Sequence, residues 1–112
     1  MQVFSKDQAR YIDDVTIKSG KLSSIELMKN AGIKISGFLQ KKYPNNKFVF
    51  VCGKGNNGGD GFAAALDLKI KNYEPVIFSL YTEKNLSDDT LYFYRKCLHH
   101  NIHIKNKLDT TL

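Results

Sequence analysis

Five consecutive apolar residues, Phe48 to Cys52, run without a break into Gly53-Lys54-Gly55-Asn56-Asn57-Gly58-Gly59-Asp60-Gly61, nine residues that include five glycines. An unbroken apolar run of this length is the pattern of a strand covered on both faces, as in a parallel sheet. Glycines directly behind it let the chain turn tightly and let an anion approach peptide N–H groups. A helix-compatible stretch, Phe62 to Lys71, follows, and a helix amino end adds partial positive charge. Strand, glycine loop and helix in that order restrict the chain to an α/β fold with a binding loop at the carboxyl edge of its sheet.

The flanking sequence extends the pattern. Ser5-Lys6-Asp7-Gln8 forms a capping box, and Ala9, Ile12, Val15 and Thr16 recur at helical spacing up to Gly20. A second box at Ser23-Ser24-Ile25-Glu26 opens a stripe of Met28, Ala31, Ile35, Phe38 and Leu39, and Pro44 ends it. Pro75 to Leu80 reads as another buried strand. Ser87 suits the cap of a further helix, with Asp88 and Asp89 at its positive end, Leu91, Tyr94 and Leu98 facing inward, and His99-His100-Asn101 closing it. Ile102 to Ile104 is a short third strand. The predicted order is α-α-β-α-β-α-β with right-handed crossovers, the opening half of an open sheet.

Gly53-x-Gly55-x-x-Gly58 has the dinucleotide spacing and the strand–helix context that the spacing requires. The acidic ribose ligand of a nicotinamide site has no clean counterpart, since Glu83 comes late, and no Gly-Lys-Ser/Thr makes a Walker loop. Instead, Asn56, Asn57 and Asp60 put side-chain oxygens among the glycines. Asparagines tolerate left-handed turns and Asp60 could cap the following helix. Alternatively the amide oxygens of Asn56 and Asn57 ligate a sugar hydroxyl or a hard cation, and Asp60 accepts hydrogen bonds from a neutral part of a ligand. Lys54 could reach a phosphate or simply be solvated.

The run Val51 to Gly61, together with Ser5-x-x-Gln8-Ala9-x-x-Ile12-Asp13 and Ser24-x-Glu26-Leu27-Met28-x-Asn30-Ala31-Gly32, resembles the NAD(P)H-hydrate epimerases, the YjeF N-terminal domain family. The resemblance implies a Rossmann-like three-layer α/β/α sandwich with a mainly parallel sheet and two N-terminal helices, of which residues 1–112 are the N-terminal half. It implies interconversion of the R and S epimers of hydrated NADH or NADPH at C6, so that an S-specific dehydratase, fused or separate, restores the cofactor. Asn56, Asn57, Gly58, Gly59 and Asp60 would bind the hydrated dinucleotide, and Asn57 would give an oxygen to a potassium ion. A catalytic aspartate and further potassium ligands are expected beyond Leu112, and the complete form is expected to be a homodimer. Two other readings are a non-catalytic module, like related domains inside RNA-decapping scaffolds, and an inactive truncated product.

Charge and cysteine content narrow the remaining classes. Lysine and arginine number 17 against 11 acids, a formal charge of +6, but the lysines are scattered and Arg10 and Arg95 are the only arginines. That describes a solvated face better than a nucleic-acid surface. No apolar run is long enough to span a bilayer, and the start suits neither a signal nor a transit peptide, so a cytoplasmic location is expected. Cys52 and Cys97 are expected to be reduced and buried. His99, His100 and His103 are expected to diverge rather than to hold a metal, and Tyr92, Phe93 and Tyr94 to pack in the core.

Overall fold

The computed structural model describes residues 23–106. The first expected helix, over residues 5–20, lies outside them. Helix α1 (Ser24–Lys42) is followed by β1 (Val49–Cys52), α2 (Asn56–Ile70), β2 (Val76–Ser79), a 3₁₀ turn (Glu83–Asn85), α3 (Asp88–His99) and β3 (His103–Asn106). The strands form a parallel sheet in the order β1-β2-β3. No helix among the described residues is long and apolar enough to cross a membrane.

Local chemistry accounts for the helix ends. Ser23 caps α1, its hydroxyl accepting the Glu26 N–H at 3.2 Å as the capping box predicts. Helices α2 and α3 end in matching Schellman turns. Asn72 and Asn101 take positive φ, 70° and 61°. The next amides, Tyr73 and Ile102, bond back to the carbonyls of Leu68 and Cys97 at 3.0 Å each. Asparagine does here what glycine does in most such caps.

Sheet register separates the side chains into two faces. Phe50, Ile77 and Ile104 align, as do Cys52, Ser79 and Asn106, on the face against α2. There Phe50, Cys52 and Ile77 pack with Phe62, Ala64, Ala65 and Leu68 in one core. Helix α1 packs on α2 through Met28, Ala31, Ile35 and Leu39, and α3 adds Phe93, Tyr94 and Cys97. The Phe62 and Tyr94 rings meet edge to face at 5.4 Å.

Several inward positions differ from expectation. Phe38 is 49% exposed, because α1 buries a narrow row of Met28, Ala31, Gly32, Ile35, Ser36 and Leu39 against α2. Leu98 is also open and Leu91 half-buried. The row that packs on α3 is Thr90, Phe93, Tyr94 and Cys97, one residue round the helix. Tyr92 is exposed, and only its aromatic neighbours enter the core. On the second face of the sheet, Val51 is 51% exposed and Val49, Val76 and Phe78 are half-buried. The described residues therefore supply the sheet and one helix layer.

Candidate functional site

The largest departure from the sequence reading falls on the glycine run itself. Helix α2 starts at Asn56, not Phe62, so Asn56 to Gly61 form its first turns. Gly55 is the N-cap, without a side-chain cap bond, and Asp60 lies in the second turn, wholly buried. Asp60 therefore does not cap the helix. The glycines open the helix to its neighbours. A Cβ on Gly58 would strike the Gly53 carbonyl, and one on Gly59 would strike the Met28 side chain and stand 2.7 Å from the Thr90 hydroxyl. One on Gly61 would stand 2.8 Å from the Cys52 sulfur. Three helix-weakening glycines are retained because strand, loop and both neighbouring helices press against this one turn.

Gly53 and Gly55 differ, for a Cβ on either would meet nothing within 4 Å. Between them Lys54 is exposed. Helix geometry leaves the N–H groups of residues 56, 57 and 58 without intrahelical acceptors. The Gly59 N–H, in contrast, donates to the Gly55 carbonyl at 3.2 Å. An open peptide turn thus leads into a helix amino end, an arrangement suited to an anion.

The neighbouring crossover fixes this turn in place. The Ser87 N–H donates to the Lys54 carbonyl at 3.3 Å. Ser87 is the N-cap of α3, as expected, but its hydroxyl does not cap the helix. It donates to the Thr90 hydroxyl at 2.9 Å, which donates to the Gly55 carbonyl at 3.0 Å. After β2, the buried Ser79 hydroxyl donates to the Tyr81 carbonyl at 2.7 Å, and Asn106 Nδ2 reaches the same oxygen at 3.4 Å. Glu83, in the 3₁₀ turn, accepts from Arg95 Nε at 3.4 Å. The carboxyl ends of all three strands converge on one rim.

Sequence reading did not find Thr90 or Tyr81. Thr90 lies 35 residues from Gly55 and carries no local signal of that contact. Cys52 and Cys97 are free and buried, as expected. Burial pushes the Cys52 thiol up to about 12, against a thiolate role. Among the described residues no three His, Cys, Asp or Glu side chains converge as metal ligands.

The family described as YjeF-related protein N-terminus matches residues 24–111. The chain belongs to that family. The YjeF-related segment is 34% identical over 89 residues to the NAD(P)H-hydrate epimerase of Entamoeba histolytica, covering 76% of this chain and 40% of that protein. It is 37% identical over 89 residues to the epimerase of Anopheles darlingi, covering 77% and 39%. The chain thus spans about 40% of the length of these curated relatives. A crystal structure of the yeast protein YNL200c superposes with a TM-score of 0.71 at 22% identity, over 95% of this chain and 47% of that one. That likeness establishes the Rossmann-like α/β fold of the YjeF-related segment.

Proposed function

We propose that this chain supplies the dinucleotide-binding half of an NAD(P)H-hydrate epimerase, acting on hydrated NADH or NADPH. The observation that carries the reading is the open Gly53–Gly55 turn leading into the amino end of α2 at the carboxyl rim of the sheet. It is supported by relatives of that name at 34% and 37% identity. In this reading the N–H groups at the start of α2 hold a phosphate of the dinucleotide, Asn56 and Asn57 bind its neutral polar groups, and Asp60, wholly buried in the second turn, supports that binding turn from beneath.

Inverting a carbon that bears a hydroxyl and a ring nitrogen needs departure and return of that hydroxyl, or transient ring opening. Either route requires an acid/base group and stabilisation of developing charge. This chain's part is to bind and orient; the acid/base aspartate is assigned to the remainder of the domain. The resemblance to the epimerases makes Asn57 the residue of this chain that would hold potassium, through a carboxamide oxygen suited to a hard cation; when bound the ion would supply positive charge beside the ligand.

The test uses the complete gene product and purified R or S hydrate of NADPH, with epimerisation followed by chromatography. Asn57→Ala should lower kcat/KM by about ten- to hundredfold, the loss expected for one or two polar contacts to a ligand, and Asp60→Asn should lower it by about tenfold through the turn that it supports. Circular dichroism should show both variants folded. Wild-type turnover in both would overturn the residue assignment, and a wild-type protein that leaves each epimer unchanged would overturn the reading.

A further inference from the structure

We propose that Lys54 contacts a phosphate of the bound dinucleotide, with the Tyr81 ring holding its ammonium at the rim until the ligand arrives. The inference rests on the epimerase reading above and adds to it a residue outside the Asn-Asn-Gly-Gly-Asp run.

Register brings the pair together. Cys52 and Ser79 are partners at the ends of β1 and β2, and Lys54 and Tyr81 each follow two residues later. Both backbones are fixed. The Lys54 carbonyl accepts from the Ser87 N–H at 3.3 Å, and the Tyr81 carbonyl accepts from Ser79 Oγ at 2.7 Å. The flanking glycines leave open space on either side. Across this opening Lys54 Nζ lies 5.5 Å from the centroid of the Tyr81 ring.

Lys96 makes a like contact with the exposed Tyr92 ring on α3, also at 5.5 Å, but only Lys54 stands in the glycine turn, and its contact differs in kind from the ion pairs of other lysines. Lys69 and Lys71 are paired with Glu74 at 2.7 Å and Asp67 at 2.9 Å. Among the described residues no carboxylate lies within ion-pair distance of Lys54, and Glu83 on the Tyr81 side is engaged by Arg95. A ring face attracts an ammonium without using its N–H donors as a carboxylate would. The charge is therefore held at the rim by a residue two positions before the α2 amino end, with its donors available. Lysine, a point charge on a flexible stem, can swing from ring to phosphate.

The experiment measures KM and kcat of the complete protein for the hydrates of NADH and NADPH, at low and high salt. Lys54→Gln should raise KM about tenfold at low salt, as for loss of one charge-assisted hydrogen bond, with kcat little changed. Salt should shrink the difference from wild type. Lys54→Arg should restore most of the loss, and Tyr81→Leu should raise KM about threefold by releasing the ammonium. A rise for both hydrates assigns the contact to the pyrophosphate; a rise for the NADPH hydrate alone assigns it to the 2′-phosphate. If Lys54→Gln keeps wild-type KM for both at low salt, or loses only kcat, the proposal fails while the epimerase reading stands. If the wild type itself epimerises neither hydrate, both fail.

Discussion

Cys52 and Cys97 are buried, and the Cys97 thiol donates to the Phe62 carbonyl at 3.2 Å, a contact that favours the neutral form over a thiolate. Burial raises Cys52 from 9.0 to about 12, and burial, with a smaller contribution from the charge of Cys52, raises Cys97 as well. Both thiols are therefore neutral when folded and bind protons that the unfolded chain releases above its ordinary thiol pKa. Stability from this source is complete below about pH 8.5 and is lost as pH rises toward the folded values, by about 1.4 kcal/mol per thiol per pH unit. Urea unfolding at pH 8 and pH 10 should show a larger alkaline loss for the wild type than for Cys97→Ala. Equal pH dependence of the two proteins would contradict the burial argument. Asp60 poses the opposite problem, a carboxyl group placed wholly inside the protein. Such a position is expensive unless polar groups meet it, and helix capping does not explain it. Whatever Asp60 does chemically, it does from the second turn of α2, beneath the open loop rather than on it.

Among the elements, α1 and α2 show how far helix propensity yields to packing. Gly32 and Gly37 both lie inside α1, where alanine would normally be better by about 1 kcal/mol. At Gly37 an added Cβ meets nothing within 4 Å, whereas at Gly32 it would stand 2.5 Å from the Ala63 Cβ and 2.6 Å from its backbone. The same substitution should therefore have opposite signs. Gly37→Ala should stabilise by about 0.5–1 kcal/mol, and Gly32→Ala should destabilise by about 1–3 kcal/mol through overpacking of the α1–α2 contact. Denaturant titration of both variants decides it, and a stabilised Gly32→Ala would mean that the helices can separate at no cost. The same conflict explains what could be read in advance. The positions of β1 and β2, the Ser23 cap and the end of α3 follow from apolar runs and capping residues, which act locally, whereas β3 runs on through Lys105 and Asn106, beyond the apolar Ile102–Ile104 that announces it. The start of α2 does not, because Asn and Gly are poor helix formers and only the three-dimensional crowding around Gly58, Gly59 and Gly61 shows why they are there. Phe38 and Leu98 were misplaced for a related reason: helical spacing identifies an apolar side but not the width of the neighbour that covers it.

At the scale of the whole molecule, two successive strand–helix crossovers are joined by polar contacts at the rim rather than by the core alone. Strand hydrophobicity predicted cover on both sheet faces, but it reports what a face is made of and not which segment lies over it; Val51 remains half open among the described residues. At the rim the dependence is more specific. Ser87 and Thr90 belong to the second crossover, yet their hydroxyls form a chain that ends on the Gly55 carbonyl of the first. Thr90 is fully buried, so its hydroxyl has no solvent substitute, whereas Ser87 is exposed and closes the chain at the surface. Thr90→Val keeps the shape while removing the donor to Gly55 and the acceptor for Ser87. It should cost about 1–2 kcal/mol for these bonds, lowering Tm of the complete protein by several degrees. Because the released segment is the open turn itself, KM for the hydrated dinucleotide should rise together with the loss of Tm. Thr90→Ser, which retains the hydroxyl, should keep KM near wild type even if its missing methyl lowers Tm. A Thr90→Val protein with unchanged Tm and KM would mean that the turn is held by its own glycines and the α2 packing, and that the second crossover contributes nothing to the site.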